Sequence, residues 1–291
     1  MRQRSLGGSI FDISNLIFMV GLIVVMFYPF IYVFSYSFSE PGKLTGGMLV
    51  LPHGFNLDAY QAIFQQRALL HGIFVSVART IIGPIVMIMI TSMAAYVLTR
   101  DELGGVKLIR KFFVFTMYFS SGLIPMYLVI KSAGLIGTFW VYIIPASVSV
   151  FNMILIKTYI ESVPKSLEEA ALIDGANDFE LYWKVIFPIC MPVTAAVVLF
   201  TAVEQWNSFI DTQIYNVMNP EYHTLQYLLY QTVSGAASLE QAKMGKAASL
   251  SVTPESIKMA ITIITVLPIV LVYPLLQKHF TKGLLIGSIK G

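Results

Sequence analysis

The chain has 291 residues, of which 56% are hydrophobic and 12% are charged, and its mean hydropathy is +0.74. A soluble domain of this length cannot cover so much apolar surface, so the composition predicts a polytopic membrane protein. The net charge of +3 is too small for a nucleic-acid-binding surface, and the one cysteine, Cys190, excludes an intrachain disulfide.

Six apolar segments are each long enough to cross about 30 Å of hydrocarbon as a helix. Backbone polar groups in lipid must bond internally, which favours helices over open strands. The first segment is too long for the apolar core of a cleaved signal peptide, so we expect it to be retained. We therefore predict an all-α polytopic membrane protein with six transmembrane helices, at about Leu16–Phe38, Ile73–Leu98, Phe112–Ile130, Phe139–Ile156, Pro188–Ile210 and Ile257–Leu276.

The distribution of positive charge predicts the orientation of these helices. Most of the 19 Lys and Arg residues lie in the connections that share one side with both termini. Cytoplasmic connections carry the excess of Lys and Arg, so both termini are predicted to be cytoplasmic. Two long connections, about 39–70 and 211–255, are then predicted to lie outside the cell membrane. Each is either a functional segment or a loose solvated loop. No internal repeat is visible, and a single transmembrane domain over 1–291 is the simplest partition.

A polar, helix-forming island at about 158–188 separates the fourth and fifth apolar segments. Ser166 is predicted to cap a helix here, because Glu169 three residues later completes the pattern of a capping box. The small residues Ala170 and Ala171 allow another surface to approach closely. An amphipathic connector on the membrane surface is the alternative to a docking surface for a soluble partner.

The end of this island also carries local structural signals. Gly175 fits a left-handed C-terminal cap, where a side chain would be strained. A second short helix is predicted from about Asp178 to Val185. Pro188 is expected to open the next membrane helix, because a proline is well tolerated in a first helical turn.

The spacing within the island resembles the EAA loop of the membrane subunits of ABC importers. Glu169-Ala170-Ala171 is followed by three residues, Gly175, nine residues and then Val185-Ile186-Phe187-Pro188. Val185 and Phe187 stand where the family usually has Ile and Leu. Further short motifs resemble sugar-importer permeases: Tyr28-Pro29, Ala94 to Arg100, Gly122 to Leu128, Trp206-Asn207, Leu267-Pro268 and Gly283 to Gly291.

Together these motifs make the chain similar to the permeases of carbohydrate-uptake ABC importers. The resemblance is to the second of the two permease subunits in the maltose-type systems. Within that class the chain looks closest to the branch for complex oligosaccharides and aldouronates, such as the alginate-oligosaccharide importer. The resemblance implies a type I ABC importer permease fold in the bacterial cytoplasmic membrane. It also implies a role in ATPase coupling for six residues of the loop: Glu169, Ala170, Ala171, Asp174, Gly175 and Pro188.

The same resemblance implies a set of partners. They are a sister permease that forms a heterodimer, two ATP-binding subunits and an extracytoplasmic solute-binding protein, beside membrane lipid and the oligosaccharide. Transport would proceed by alternating access, as the coupling helices move when ATP closes the ATPase dimer. No nucleic acid is expected among the partners.

Catalytic and metal-binding patterns are absent from the sequence. The nearest match to a phosphate-binding loop, Gly245-Lys246-Ala247, lacks the Ser or Thr that such a loop needs. We therefore expect a non-catalytic subunit with no cofactor of its own, and ATP and Mg²⁺ on the partner ATPase. The four histidines show no metal-ligand spacing.

Polar residues inside the apolar segments are candidates for the sugar pathway. A charge in hydrocarbon costs several kcal/mol unless it is paired or faces water. Asn152, Glu204, Trp206 and Asn207 are predicted to line the pathway, because sugars need amide and carboxylate partners and aromatic faces. Hydrogen bonding between helices is the alternative, and it is favoured for Arg79. An ion-coupled secondary transporter remains the competing function, with Glu204 as its one clear candidate site.

Overall fold

The computed structural model describes residues 6–43, 47, 49–235 and 252–288. This part of the chain is mostly helical and contains no β-strand. The contacts group the chain into two units, 1–67 with 231–267 and 68–230 with 268–291. The helices are α1 (Leu6–Ser37), α2 (Asp58–Gln65), α3 (Arg67–Val97), α4 (Val106–Tyr118), α5 (Leu123–Ser132), α6 (Val150–Glu161), α7 (Lys165–Ile173), α8 (Asp178–Leu181), α9 (Phe187–Ile189), α10 (Met191–Asn207), α11 (Ile210–Tyr215), α12 (Leu225–Val233) and α13 (Pro254–Ser288).

Three described helices are long and apolar enough to cross a membrane: Ile10–Ser37, Arg67–Val97 and Pro254–Val272. Two further spans form only if bent helix pairs are counted as one: α4 with α5, which meet at 119°, and α8–α9 with α10, which meet at 79°. The all-α membrane fold is thus confirmed. The predicted count of six uninterrupted helices is not, because the described residues give three such helices, or up to five with the bent pairs.

Short polar and glycine-containing stretches interrupt the third and fourth predicted segments. Phe119 is extended and Gly122 has a φ of +81°, so the chain turns between α4 and α5. In the fourth segment, a 3₁₀ turn at Phe139–Tyr142 precedes α6, which has 12 residues. A helix of that length spans about 18 Å, which is less than the hydrocarbon thickness.

In the first unit, the connection after α1 folds back onto the end of that helix. The Ser35 hydroxyl donates to the Val50 carbonyl at 2.8 Å, and the His53 amide donates to the Ser39 hydroxyl at 3.0 Å. The Phe38 ring stacks on Tyr60 with 4.9 Å between ring centroids. The described part of this connection is therefore ordered, in contrast to the alternative of a loose loop.

The core of the second unit lies where α3 and α6 pack against the second half of the polar island and against α10. Its buried side chains include Met87 and Ala95 of α3, Met153 of α6 and Ile186 and Val197 further along the chain. A second cluster near the other end of α3 contains Val75, Ile130, Val141, Tyr142 and Ile143. The middle of the second long connection, 236–251, lies outside the described residues, as does the Gly245–Lys246 pair.

Candidate functional site

The first helix of the polar island, α7, begins directly after Pro164. Pro164 occupies the N-cap position with ψ at 127°, and no side chain caps the helix there. Ser166 therefore lies inside the first turn, and the predicted capping box between Ser166 and Glu169 is wrong. The reason is that Pro164 already stops the preceding chain, so the helix starts earlier than the Ser166 signal indicated.

The end of α7 forms the predicted left-handed cap. Gly175 has a φ of +83°. Its amide donates to the Leu172 carbonyl at 3.0 Å, and the Ala176 amide donates to the Ala171 carbonyl at 3.0 Å. This pair of bonds is a Schellman motif. A Cβ added to Gly175 would meet no atom within 4 Å, so backbone conformation rather than space constrains this position.

The second helix of the island begins at Asp178, as predicted, and carries the capping box itself. The Glu180 amide donates to the Asn177 side chain at 2.9 Å, and the Asn177 amide donates to the Glu180 carboxylate at 3.3 Å. A π-helical turn at Tyr182–Ile186 then continues into α9. The helical path thus extends to Ile189, beyond the predicted end at Val185.

A bend at Cys190 separates this helical path from α10. Pro188 lies in α9, before the bend, so the prediction that it opens the membrane helix is wrong. Pro192 occupies the start of α10 instead. Because Pro192 cannot donate a backbone hydrogen bond to the preceding turn, the helix can break here, and its axis turns by 79°.

The outward face of α7 combines charged, small and apolar side chains. Glu169, Ala170 and Asp174 are exposed, and Leu172 and Ile173 keep 50% and 85% of their surface accessible. Ala171 instead packs against the buried core of the second unit. Only one of the two predicted small contact residues therefore lies on the exposed face.

Among the predicted pathway residues, Glu204 and Asn207 share one face of α10. Both are exposed, and their spacing of three residues places them one above the other. A neighbouring stripe of the helix, with residues four apart, is buried and contains Val197, Thr201 and Gln205. Trp206 is 7% exposed, so it does not belong to the exposed face, in contrast to the prediction that it lines the pathway beside Glu204 and Asn207.

The polar contacts of these residues differ. The Gln226 side chain donates to the Asn207 amide oxygen at 3.1 Å, which links α12 to the end of α10. The Glu204 carboxylate has no hydrogen-bond or ion-pair partner among the described residues. Asn152 is buried in the first turn of α6, where its backbone amide donates to the Ser149 hydroxyl at 3.4 Å. No hydrogen bond joins the described side chain of Asn152 to Glu204 or Asn207.

A buried arginine, which the sequence favours for hydrogen bonding between helices, organises the end of α10. Arg79 of α3 is 2% exposed, and its Nε donates to the Gln205 side chain at 2.9 Å. Its Nη1 and Nη2 donate to Asp211 at 3.1 and 2.5 Å, and Nη1 also donates to the Ser208 carbonyl at 3.4 Å. The guanidinium carbon lies 4.4 Å from the centroid of the Tyr142 ring. A charge in an apolar segment needs a partner of opposite charge, so the position of Arg79 in the sequence already indicates that an acidic residue such as Asp211 lies nearby.

The family of the chain follows from its match to known proteins. Residues 106–286 match the family of binding-protein-dependent transport system inner membrane components, and the chain belongs to this family. The matched range contains α7, the bend at Cys190 and the exposed face of α10. The chain is thus an apolar, helical membrane component of a transport system.

Similar proteins cover nearly the whole chain. Protein LplC of Bacillus subtilis is 38% identical over 98% of this chain and 96% of its own length. The polygalacturonan/rhamnogalacturonan transport system permease protein YtcP, also of Bacillus subtilis, is 39% identical over 96% of this chain and 97% of its own length. A chain in a crystal structure of a bacterial ABC transporter involved in the import of the acidic polysaccharide alginate superposes with a TM-score of 0.89. That chain is 28% identical, and the alignment covers 96% of this chain and 100% of that one.

Proposed function

We propose that the chain is a permease subunit of an ATP-driven importer that carries an oligosaccharide across the bacterial cytoplasmic membrane. The observation that carries the proposal is α7, a short exposed helix whose end is fixed by Gly175 in a chain of the binding-protein-dependent family. In this reading the chain hydrolyses no ATP. ATP and Mg²⁺ are bound by two partner ATPase subunits, and a sister permease completes the transmembrane pathway.

The outward face of α7 is suited to contact with an ATPase subunit. Ile173 is 85% exposed although the helix packs closely on the core through Ala171. Covering such a side chain contributes about 2 kcal/mol, which a soluble partner would gain by docking there. Glu169 and Asp174 add negative charge at the same surface, and Ala170 allows close approach. This placement requires α7 to be cytoplasmic.

The exposed face of α10 is suited to a sugar. The Glu204 carboxylate accepts hydrogen bonds only, and neighbouring sugar hydroxyls can donate to both of its oxygens. Asn207 offers one amide group that both donates and accepts. The substrate class is supported by the relatives, one named for transport of polygalacturonan and rhamnogalacturonan and one from an importer of alginate.

The name of the family supports a solute-binding protein as the donor of the sugar. Such a protein delivers its ligand from outside, while α7 receives the movement of the ATPase from inside. Alternating access then follows if closure of the ATPase dimer shifts α7 and opens the face of α10 to the outside. Differential binding of ATP to the two conformations supplies the driving force.

The test is reconstitution of the chain with its sister permease, ATPase and binding protein in vesicles. Uptake is measured with three probes, an oligogalacturonate, a rhamnogalacturonan oligosaccharide and an alginate oligosaccharide. We expect uptake of at least one probe that depends on ATP and on the binding protein. Uptake that instead follows an imposed proton or sodium gradient without the ATPase would establish the ion-coupled alternative.

A further inference from the structure

An arginine just beyond the end of α3 joins this helix to α7. The Arg100 Nη1 lies 2.7 Å from the Glu168 Oε2, and the two side chains are 19% and 20% exposed. The Arg100 guanidinium also donates to the Tyr96 hydroxyl, and its carbon lies 4.4 Å from the centroid of that ring. Arg100 thus holds the first turn of α7 against the last turn of α3 by two different contacts.

The contacts continue from Tyr96 into the second helix of the island. The Tyr96 hydroxyl donates to the Asp178 carbonyl at 3.4 Å, and the Tyr96 and Tyr182 rings lie 5.2 Å apart between centroids. The Tyr182 and Ser92 hydroxyls are 2.6 Å apart. The array formed by Glu168, Arg100, Tyr96, Tyr182 and Ser92 therefore ties both helices of the island to α3.

This ion pair differs from the other ion pairs around the island. Lys157–Glu161 and Lys184–Glu180 each join residues four apart on one stretch of helix, so they fix no separate elements together. Burial alone would lower the pKa of Arg100, but the Tyr96 hydroxyl and the Glu168 carboxylate outweigh it and raise the pKa overall. The guanidinium is consequently charged at every physiological pH.

The middle of α3 contacts the end of α10, which carries the candidate pathway residues. Arg79 on the same helix binds Gln205 and the Ser208 carbonyl, on either side of Asn207. Arg79 and Val97 are separated by about 27 Å at the rise of an α-helix. One helix therefore connects the array at α7 with the end of α10.

We propose that Arg100 is a positioning residue that transmits displacement of α7 to α3, and through α3 to the exposed face of α10. This proposal rests on the proposed function, because it assumes that an ATPase moves α7. Two sites joined by one helix are coupled when both bias the position of that helix. Loss of the link then lets α7 move without α3, so ATP is hydrolysed with less sugar transported.

The experiment uses the complete reconstituted complex and measures the oligosaccharide transported per ATP hydrolysed, with the three probes named above. Arg100→Gln and Glu168→Gln are each expected to lower this ratio at least threefold. The double variant should be no worse than the more severe single variant, because both remove the same link. Arg100→Lys should recover part of the ratio, since it restores the charge without the fork geometry. The matched control Lys157→Gln removes a cation of similar exposure from a pair within one helix, and it should keep the wild-type ratio.

A purely structural role gives a different result. It reduces the amount of assembled complex but leaves the transport ratio of the assembled fraction unchanged, and that result overturns the proposal. The proposal is also overturned if the double variant lowers the transport ratio by the combined effect of the two single variants. If the Arg100→Gln complex does not assemble, the transport ratio can still be measured with Glu168→Gln, because this variant retains the contact between Arg100 and Tyr96. A wild-type complex without ATP-driven uptake of any probe refutes the proposed function and this inference together. If the wild-type complex shows ATP-driven uptake and the variants have the wild-type ratio of sugar transported to ATP hydrolysed, only the inference is refuted.

Discussion

Arg79 and Asp211 form a bidentate ion pair, with 2.5 Å between Nη2 and Oδ2 and 3.1 Å between Nη1 and Oδ1. The Arg79 side chain is 2% exposed and that of Asp211 is 22% exposed. The pair joins α3 to α11, while the Ser208 carbonyl between α10 and α11 accepts from the same guanidinium. This contact fixes the direction in which the chain leaves α10, next to the exposed Asn207.

The first prediction concerns the stability that depends on this pair. Asp211→Ala leaves the Arg79 guanidinium buried without its counter-charge, which costs about 3–5 kcal/mol. We expect a lower midpoint of thermal unfolding for the purified protein in detergent. Arg79→Met with Asp211→Leu should be less destabilised than Asp211→Ala, because it buries no charge. Lys184→Gln, in an exposed pair, serves as the control and should unfold like the wild type. Equal midpoints for Asp211→Ala and the wild type would show that the pair is not structurally important.

The sequence predicts the long helices well because a continuous apolar run is itself the physical requirement for crossing a membrane. It also predicts the end of α7, since the need for a positive φ at Gly175 is local. The break between α4 and α5 escapes prediction because Ser120, Ser121 and Gly122 form only a short interruption in an otherwise apolar run. Apolar composition reports burial in lipid and is insensitive to such a turn.

Contacts between distant residues explain most of what the sequence did not reveal at the candidate site. Arg79 and Asp211 are 132 residues apart in the chain, and Arg100 and Glu168 are 68 apart. Neither pair follows from a helical repeat or a turn motif. The burial of Trp206 shows the same limit, because the order of residues within its own segment does not fix which face of α10 is covered.

The second prediction tests the orientation that the proposed function requires. In a Cys190→Ala background, Ser132→Cys should react with an impermeant thiol reagent in intact spheroplasts. Ser166→Cys should react only after permeabilisation, because α7 is expected to face the cytoplasm. Both serines are exposed, so access within the protein does not limit labelling. Labelling of Ser166→Cys in intact spheroplasts would place α7 on the outside and remove the basis for ATPase docking.

The third prediction concerns the face of α10. Glu204→Gln removes a charged hydrogen-bond acceptor, and hydrogen bonds to charged groups contribute about 1.5–3 kcal/mol. Uptake of a neutral oligosaccharide by the reconstituted complex should therefore fall roughly tenfold or more. Uptake of an oligogalacturonate should fall less, since the same change removes repulsion between two carboxylates. Asn207→Ala should lower uptake of both sugars.

Assembly separates this role from packing between helices. The amount of complex recovered with Glu204→Gln should match the wild type, because Glu204 has no hydrogen-bond partner among the described residues. Glu161→Gln, an exposed carboxylate of α6 paired with Lys157, is the matched control. Wild-type uptake by both pathway variants would exclude this face of α10 from the pathway, and failure of both to assemble would favour a role in packing.

The fourth prediction concerns the Schellman motif that ends α7. A β-branched side chain at the φ of +83° found at Gly175 is strained by on the order of 1–3 kcal/mol. Gly175→Val should shift the last turn of α7, including Ile173, and so weaken ATPase docking. Gly175→Asn should be closer to the wild type, because asparagine tolerates the left-handed region better than valine does. The measurements are sugar-stimulated ATPase activity and retention of the ATPase subunits during purification in detergent.

Gly104 supplies the control for this prediction, because it also lies in a connection and an added Cβ would meet no atom within 4 Å. Unlike Gly175, it does not have a positive φ. Gly104→Val should therefore keep ATPase stimulation, while Gly175→Val loses it and Gly175→Asn retains most of it. This order follows from backbone conformation alone, since neither glycine is crowded. Full stimulation and intact uptake with Gly175→Val would mean that the shape of α7 does not matter for coupling, and the helix would then be only a surface connector.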